Sequence, residues 1–181
     1  MPPVRLQPAG LSHVATFDVR AGATEAFTLV YGTSWQPEPD LLDPFEALQA
    51  TEQYWHAWTG QCRPCHPYAG HVTRSLITLK ALTYRPTGGI VAAVTTSLPE
   101  RIGGTRNWDY RYCWLRDATF TLLALMNAGC LDEAAAWRTW LHRAVAGDPS
   151  QVQIMYGLAG ERRLDEREVP WLCGYEGSRP V

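Results

Sequence analysis

Residues 118–128 are the segment that most restricts how this chain can fold. The segment carries large apolar side chains around a whole helical circumference: Phe120, Leu122, Leu123, Leu125 and Met126. A helix that is apolar all round is stable only when other elements cover every side of it. The pattern therefore predicts a helix that is buried on all sides and ends at Gly129.

Three further helices are predicted from apolar spacing and from start and stop signals. The first covers 44–59 and begins with Asp43 as its N-cap and Pro44 in its first turn. The others cover 68–84 and 132–145, and the last of them points Ala134, Trp137, Leu141 and Val145 inward. Three further helices are too few to cover the helix at 118–128 on every side. We therefore expect part of the surrounding fold to be missing.

The first forty residues are predicted to be β-structure. Apolar and polar side chains alternate over 14–20 and over 26–31, and Ala21–Thr24 supplies a turn, which is typical of a hairpin. Because a lone hairpin is not stable in water, it should belong to a larger sheet. Residues 36–39 then form a linker, and 90–96 and 151–158 are expected to be extended.

Charge and hydropathy narrow the classes of partner. With 16 Lys and Arg against 18 Asp and Glu, and no long run of like charge, the sequence does not favour nucleic-acid binding. No stretch is apolar for long enough to span a membrane, and the N-terminus does not resemble a signal peptide. We therefore expect a cytoplasmic protein with neither nucleic acid nor membrane as a partner.

The five cysteines are expected to be reduced thiols, as is usual in the cytoplasm. Cys62-Arg63-Pro64-Cys65-His66 matches the pentapeptide that attaches c-type haem. A haem protein is therefore one alternative, although the chain shows neither an export signal nor an axial-ligand context. Two thiols alone do not complete a zinc shell of four ligands, so we predict no metal and no cofactor.

Residues 104–118 combine aromatic and charged side chains in a run that opens onto the apolar helix. Arg and Asp are costly to bury unless they are paired. The same mixture suits a pocket where rings stack on a sugar and charges bond its hydroxyls. Structural readings remain open: Asp117 can be a helix N-cap, and Asp109 can pair with a neighbouring Arg.

Three ordered blocks resemble one family of enzymes. The run Asn107–Asp117 is similar to the substrate-site signature of glycoside hydrolase family 15, the glucoamylase-like enzymes, whose bacterial members include α,α-trehalases and glucodextranases. Residues 76–100 resemble the first barrel helix of these bacterial proteins and its exit, and residues 170–181 resemble a third family block.

The resemblance implies a mostly α fold, an incomplete six-hairpin (α/α)6 toroid preceded by part of a β-sandwich and a linker helix. On this interpretation residues 1–40 are the C-terminal remnant of the sandwich, 41–67 the helical linker and 68–181 the N-terminal part of the barrel. Twelve helices of about 11–12 residues with connections of about 4–6 need roughly 200 residues. Because residues 68–181 provide 114, we expect that this barrel does not close.

The resemblance also implies inverting hydrolysis of α-linked glucosides, with a carboxylic acid and a carboxylate roughly 6.5–9.5 Å apart. The family's acid lies in a Trp-Glu motif, and no Trp-Glu dipeptide occurs in this chain. We therefore expect no catalytic residue here and little or no activity from this chain alone. The alternative function is a carbohydrate-binding protein without catalysis. In both cases the partner is a small-molecule or oligosaccharide α-glucoside.

By the same resemblance, six residues are expected to bind the substrate. Arg116 and Asp117 hold hydroxyls of the terminal glucose, and Tyr110 and Trp114 pack against its ring. Arg179 and Tyr175 belong near the same sugar or the next one. A carboxylate accepts from two neighbouring hydroxyls and a guanidinium donates in a fixed fork, so the residue types suit this role.

Overall fold

The protein is mostly helical with a few short strands. A computed structural model describes residues 4–37, 40–63 and 67–181. In chain order its elements are β1 (Gln7–Ala9), β2 (Ser12–Val14), α1 (Pro44–Thr59), α2 (Ala69–Ala81), β3 (Thr83–Tyr84), β4 (Gly89–Ile90), β5 (Cys113–Trp114), α3 (Leu115–Asn127), α4 (Asp132–Ala144), a 3-10 turn (Pro149–Gln151), β6 (Met155–Tyr156) and a second 3-10 turn (Tyr175–Gly177).

The helices follow local signals closely at most of their ends. The Asp43 carboxylate accepts hydrogen bonds from the backbone N–H groups of Phe45 and Glu46, at 2.9 and 3.0 Å, so the predicted N-cap of α1 is confirmed. Helix α4 agrees with its prediction to within one residue. Helix α2 stops earlier than predicted, because Thr83 and Tyr84 pair with Ile90 and Gly89 as the β3–β4 hairpin.

The predicted hairpin at 14–20 and 26–31 is wrong. The strands of this region are β1 and β2, which pair antiparallel one turn earlier in the chain. The predicted turn does exist, since the Ala23 N–H donates to the Arg20 carbonyl, and the rings of Phe17 and Phe27 meet at 5.1 Å. No ladder of strand hydrogen bonds joins the two arms among the described residues. Alternation alone does not form strands when the apolar face has no surface to cover.

The short strands β3 to β6 form two separate two-stranded sheets, β3–β4 and β5–β6, and backbone hydrogen bonds connect the segments between them. The N–H of Val91 donates to the Leu82 carbonyl, and those of Ala92 and Ala93 donate to the carbonyls of Tyr112 and Tyr110. Strand β5 then pairs antiparallel with β6, Cys113 opposite Tyr156. The expectation of extended chain at 90–96 and 151–158 thus holds in part, with Pro149–Gln151 forming a 3-10 turn instead.

Three apolar clusters form the core; the first joins α1, α2 and α3, and the other two pack α3 and α4 against the strands. The first contains Trp58, Cys62, Leu76, Leu125, Ala128 and Cys130; the second Cys113, Trp140, Ala144 and Tyr156; the third Ile90, Ala118 and Leu122. On α4 the fully buried side chain is Trp140, whereas the residues predicted to point inward are half-buried.

Helix α3 is not buried on every side, which corrects the prediction. Leu122 and Leu125 pack in the core, but Phe120, Leu123 and Met126 are exposed by 66%, 54% and 49%. The described chain places α2 and α4 against this helix. Leu125 also belongs to a core cluster with Trp58 of α1, and Leu122 to one with Ile90 of β4.

The chain divides into two compact units, Met1–Tyr54 and Trp55–Val181, with the division inside α1. The first unit contains β1, β2 and most of α1. All the buried core residues of the described chain belong to the second unit. No helix within residues 4–37, 40–63 and 67–181 is long and apolar enough to cross a membrane.

Candidate functional site

The run from 104 to 118 is held on both sides by backbone hydrogen bonds. On one side the Tyr110 N–H donates to the Thr95 carbonyl at 3.0 Å and the Tyr110 carbonyl accepts from Ala93 at 2.9 Å. On the other side the Leu115 N–H donates to the Ile154 carbonyl at 3.1 Å. The chain then turns directly from β5 into α3. The site residues therefore sit at a fixed junction between a strand and a helix.

Tyr110 and Trp114 form a pair of neighbouring rings at this junction. Their centroids are 6.5 Å apart and their planes meet at 34°, within the usual range for interacting aromatic side chains. Both side chains are partly buried. The indole N–H of Trp114 has no hydrogen-bond partner among the described residues, nor has the side-chain oxygen of Asn107. A buried donor without a partner is costly, and a hydroxyl of a ligand is one group that could satisfy it.

Arg116 and Asp117 follow in the first turn of α3. A guanidinium nitrogen of Arg116 donates to one carboxylate oxygen of Asp117 at 3.2 Å. The Arg116 side chain is 75% exposed and that of Asp117 is 36% exposed. The remaining donors of the guanidinium and the second oxygen of the carboxylate have no partner in the described chain, so they can donate to and accept from a polar ligand.

Asp117 is not the N-cap of α3, which corrects that structural reading. The cap is Trp114 in an extended conformation, the helix begins at Leu115, and the cap makes no side-chain hydrogen bond. The strand pairing of Trp114 sets this earlier start, because the ladder and the helix meet at one residue. Asp117 instead lies inside the first turn, where the helix dipole favours a negative charge.

Asp109 pairs with a neighbouring Arg, as its structural reading predicted. Its two carboxylate oxygens accept from the Arg111 guanidinium at 3.0 and 2.8 Å, and one of them also accepts from the Arg111 backbone N–H at 3.0 Å. Burial alone would raise the pKa of Asp109, but the hydrogen bonds and charge of Arg111 outweigh it and lower the pKa. This carboxylate is thus ionised and already satisfied within the chain.

Arg179 and Tyr175 lie in the C-terminal block, which a single buried hydroxyl ties to the loop before the site. The Ser178 side chain is 1% exposed and accepts a hydrogen bond from the Gly103 N–H at 2.8 Å. Arg179 and Tyr175 are exposed and make no hydrogen bond or ring contact with the other four predicted residues within the described chain. The structure therefore brings Tyr110 close to Trp114 and Arg116 to Asp117, but does not join Arg179 or Tyr175 to them.

The sequence analysis missed Ser178 and Asn107. Ser178 positions the C-terminal block, and Asn107 leaves an unpaired acceptor beside Gly104, whose carbonyl accepts from the Asn107 amide at 3.1 Å. Both residues stand inside the recognised blocks. The available signal was a small polar residue in an aromatic run, which is too weak to assign without coordinates.

Glu133 is a buried carboxylate outside the site. It is 4% exposed, and one of its oxygens accepts from the Lys80 ammonium at 2.7 Å and from the Trp58 indole N–H at 2.9 Å. Burial alone would raise the pKa of Glu133, whereas its bonds to Lys80 and Trp58 outweigh that effect and lower the pKa. Its partners come from α1 and α2, so this cluster connects three helices.

Within the residues that the structure describes, no three His, Cys, Asp or Glu side chains are placed to hold a metal ion. Cys62, Cys113, Cys130 and Cys173 are free thiols, and burial raises the pKa of Cys113 to about 12. Cys65 and His66, on which the haem alternative depends, lie outside the described residues.

Comparisons with known proteins bear on the meaning of this junction. Residues 66–181 match the model of the family described as glycosyl hydrolases family 15. A trehalase of Mycolicibacterium smegmatis is 41% identical over 169 residues, covering 90% of this chain and 25% of that protein. A trehalase of Thermoplasma acidophilum is 35% identical over 167 residues, covering 92% of this chain and 28% of that protein.

A trehalase of Mycobacterium tuberculosis is 41% identical over 155 residues, covering 82% of this chain and 23% of that protein. The chain thus spans about a quarter of the length of these curated relatives. No solved structure matches it significantly. The family match extends over more than half of the chain and includes the whole site run, so this chain belongs to glycosyl hydrolase family 15.

Proposed function

We propose that the strand–helix junction at 110–117 is one wall of a glucose-binding subsite for α-linked glucosides, in a protein of trehalase type. The observation that carries the proposal is that the ring pair Tyr110–Trp114 and the open pair Arg116–Asp117 lie within eight residues of one another at one strand–helix junction. Rings supply an apolar surface for the sugar face, and the charged pair supplies a donor fork and an acceptor for its hydroxyls. The family match and the trehalase relatives support the choice of an α-glucoside.

We also propose that Tyr175 and Arg179 bind the same glucose or the next one. Their block is anchored by Ser178 to Gly103, at the start of the site run. An exposed guanidinium and an exposed phenol at this place can be ordered by a ligand.

We propose further that this chain binds its sugar without hydrolysing it. The family's acid motif, Trp-Glu, does not occur among the 181 residues. The carboxylates near the site do not replace this catalytic acid. Both oxygens of Asp109 accept hydrogen bonds from Arg111, and Asp117 is assigned to hydroxyl binding. The chain therefore fits the binding part of an inverting glycosidase mechanism, which also needs an acid and a base.

Binding is tested by titrating the purified chain with trehalose and with maltose, while ligand-observed NMR and tryptophan fluorescence are recorded. Cellobiose, which is β-linked, is the control sugar. Asp117→Ala should weaken binding of the α-glucosides about 10–100-fold, since a hydrogen bond to a charged group contributes about 1.5–3 kcal/mol.

The matched control is Asp132→Ala, because Asp132 occupies the first turn of α4 as Asp117 occupies that of α3. This control should bind like the unaltered chain. Equal loss in both variants, or equal binding of cellobiose, would contradict the assignment of the subsite. Release of glucose from trehalose by the chain would contradict the proposal that it lacks a catalytic pair.

A further inference from the structure

Two buried thiols meet where α1 and α3 end. Cys62 follows the last turn of α1, Cys130 follows the last turn of α3, and their sulfur atoms are 2.9 Å apart. Carbon atoms that pack without bonding stay about 3.5–4.0 Å apart, so two larger sulfur atoms at this distance are in unusually close contact. The side chains are 9% and 6% exposed.

The backbone, rather than side-chain freedom, holds the two sulfur atoms together. The N–H of Arg63 donates to the Ala128 carbonyl at 2.7 Å, and that of Cys130 donates to the Leu125 carbonyl at 2.9 Å. The Cys62 thiol also lies 3.6 Å from the Trp58 carbonyl. Both cysteines belong to the apolar cluster that joins α1, α2 and α3. The pair is therefore fixed by the same contacts that pack these helices.

We propose that Cys62 and Cys130 are a redox modification site, which a peroxide converts to an intramolecular disulfide and a dithiol reverses. The sulfur atoms need to approach by about 0.9 Å more to reach the bond length of about 2.05 Å. The inference is independent of the proposed sugar binding, because none of the site residues takes part in it.

The reaction balances with hydrogen peroxide as the oxidant. One cysteine of the pair loses its proton, its thiolate attacks one peroxide oxygen, the O–O bond breaks, and the sulfenic acid of that cysteine forms. The released hydroxide takes up the lost proton and becomes water. The sulfur of the other cysteine then attacks the sulfenic sulfur and displaces the hydroxyl group, which leaves as water with the proton of that second thiol. In total two thiols are oxidised, one peroxide is reduced and two waters are released.

The surroundings of Cys130 disfavour its thiolate. Burial, together with the neighbouring Cys62, raises the pKa of the Cys130 thiol to about 12. Because a thiolate is the attacking species, a raised thiol pKa slows the reaction with peroxide. Since both thiols are buried, we expect oxidation to be slower than that of the exposed Cys173.

The bond would close a loop between residues 68 positions apart, which includes α2, β3, β4, β5 and α3. A disulfide across a loop of this length restricts the unfolded chain strongly. We expect the oxidised protein to unfold about 5–15 °C higher than the reduced protein.

Peptide mapping tests the proposal on the unaltered full chain. Trypsin places Cys62 and Cys65 in one peptide, 21–74, because Arg63 precedes a proline, and places Cys130 in peptide 117–138. After treatment with hydrogen peroxide and blocking of free thiols, we expect these two peptides to be linked, and dithiothreitol to separate them. Two unlinked peptides, or an internal disulfide within 21–74, would overturn the proposal.

Three variants identify the partners. Cys65→Ser and Cys173→Ser should still form the linked peptide and keep the rise in unfolding temperature, whereas Cys130→Ser should lose both. Loss of the link in Cys65→Ser would assign the bond to Cys65 and overturn the pair. Since the mapping of the unaltered chain stands by itself, poor folding of Cys130→Ser would not remove the test.

Discussion

Two carboxylates of the second unit, Glu133 and Asp117, differ in what the chain itself provides for them. Glu133 is buried, and one of its oxygens accepts from both Lys80 and Trp58. Asp117 is partly exposed, and one of its oxygens accepts a hydrogen bond from the exposed Arg116 side chain. Its other oxygen has no partner among the described residues. A buried carboxylate whose partners come from two other helices helps to hold those helices together. A carboxylate that is partly exposed and bonds only to the neighbouring residue is available to a ligand.

Removing Glu133 should have the largest effect. In Glu133→Ala the Lys80 ammonium loses its buried counter-charge and the Trp58 indole N–H loses its acceptor. Breaking a buried pair from one side costs about 3–5 kcal/mol, so the free energy of unfolding should fall by that amount. Urea denaturation followed by tryptophan fluorescence measures it. Asp117→Ala should change stability by less than about 0.5 kcal/mol, and equal effects would erase the contrast between the two carboxylates.

The same contrast should depend on pH in one direction. The pKa of Glu133 is lowered from its ordinary value of 4.5, so its contribution to stability is complete above that pH. The contribution is lost as the pH falls through the lower pKa of the folded state. The stability gap between the unaltered chain and Glu133→Ala should therefore be constant towards neutral pH and shrink below 4.5. Urea midpoints across this range test it, and a gap that widens in acid would contradict it.

Two glycines extend the comparison to the backbone. Gly88 has φ +84°, and a Cβ there would lie 2.6 Å from the Ala136 carbonyl oxygen on α4. Gly103, before the site run, has φ +77° and open space around it. Gly88→Ala should cost about 2–4 kcal/mol from strain and overpacking together, and Gly103→Ala about 1–2 kcal/mol from strain alone. Thermal unfolding measures both, and a similar cost would show that the contact with α4 relaxes freely.

Asp109→Ala should have only small effects on both stability and sugar binding. Its partner Arg111 is 57% exposed, so the pair contributes about 0.2–1 kcal/mol to stability. Because both carboxylate oxygens of Asp109 are already hydrogen-bonded to Arg111, trehalose binding should change by less than about twofold. Urea denaturation and the sugar titration measure the two quantities. A loss of binding as large as that expected for Asp117→Ala would move Asp109 into the subsite.

Local signals predicted the helices well, and non-local pairing explains the errors. The start of α1 was predictable because the Asp43 cap acts on the next three residues. The structure at 14–31 was not predictable, because alternating apolar and polar residues do not show whether another surface is present to cover the apolar face. The start of α3 depends on Trp114 pairing with Met155, a partner about forty residues away.

The candidate site was predictable where it is continuous in sequence. The ring pair and the charged pair lie within eight residues, and the short path from strand to helix keeps them together. The place of Arg179 and Tyr175 depends on the Ser178 hydroxyl reaching Gly103, 75 residues earlier. The helical pattern did not predict that Trp140 is buried. Its burial also depends on a distant group, the Leu158 carbonyl, which accepts a hydrogen bond from the Trp140 indole.

Helix α3 fixes the relative orientation of the proposed sugar subsite at its start and the Cys62–Cys130 pair at its end. Its 13 residues rise about 20 Å from the end at the proposed sugar subsite to the end at the thiol pair, without a break. Each residue turns a helix by about 100°, so one residue inserted within α3 would change the direction of Arg116 and Asp117 relative to Cys130. An insertion among the exposed residues 165–168 carries no such geometric penalty. The length of α3 is therefore as much a part of the site as the side chains at its start.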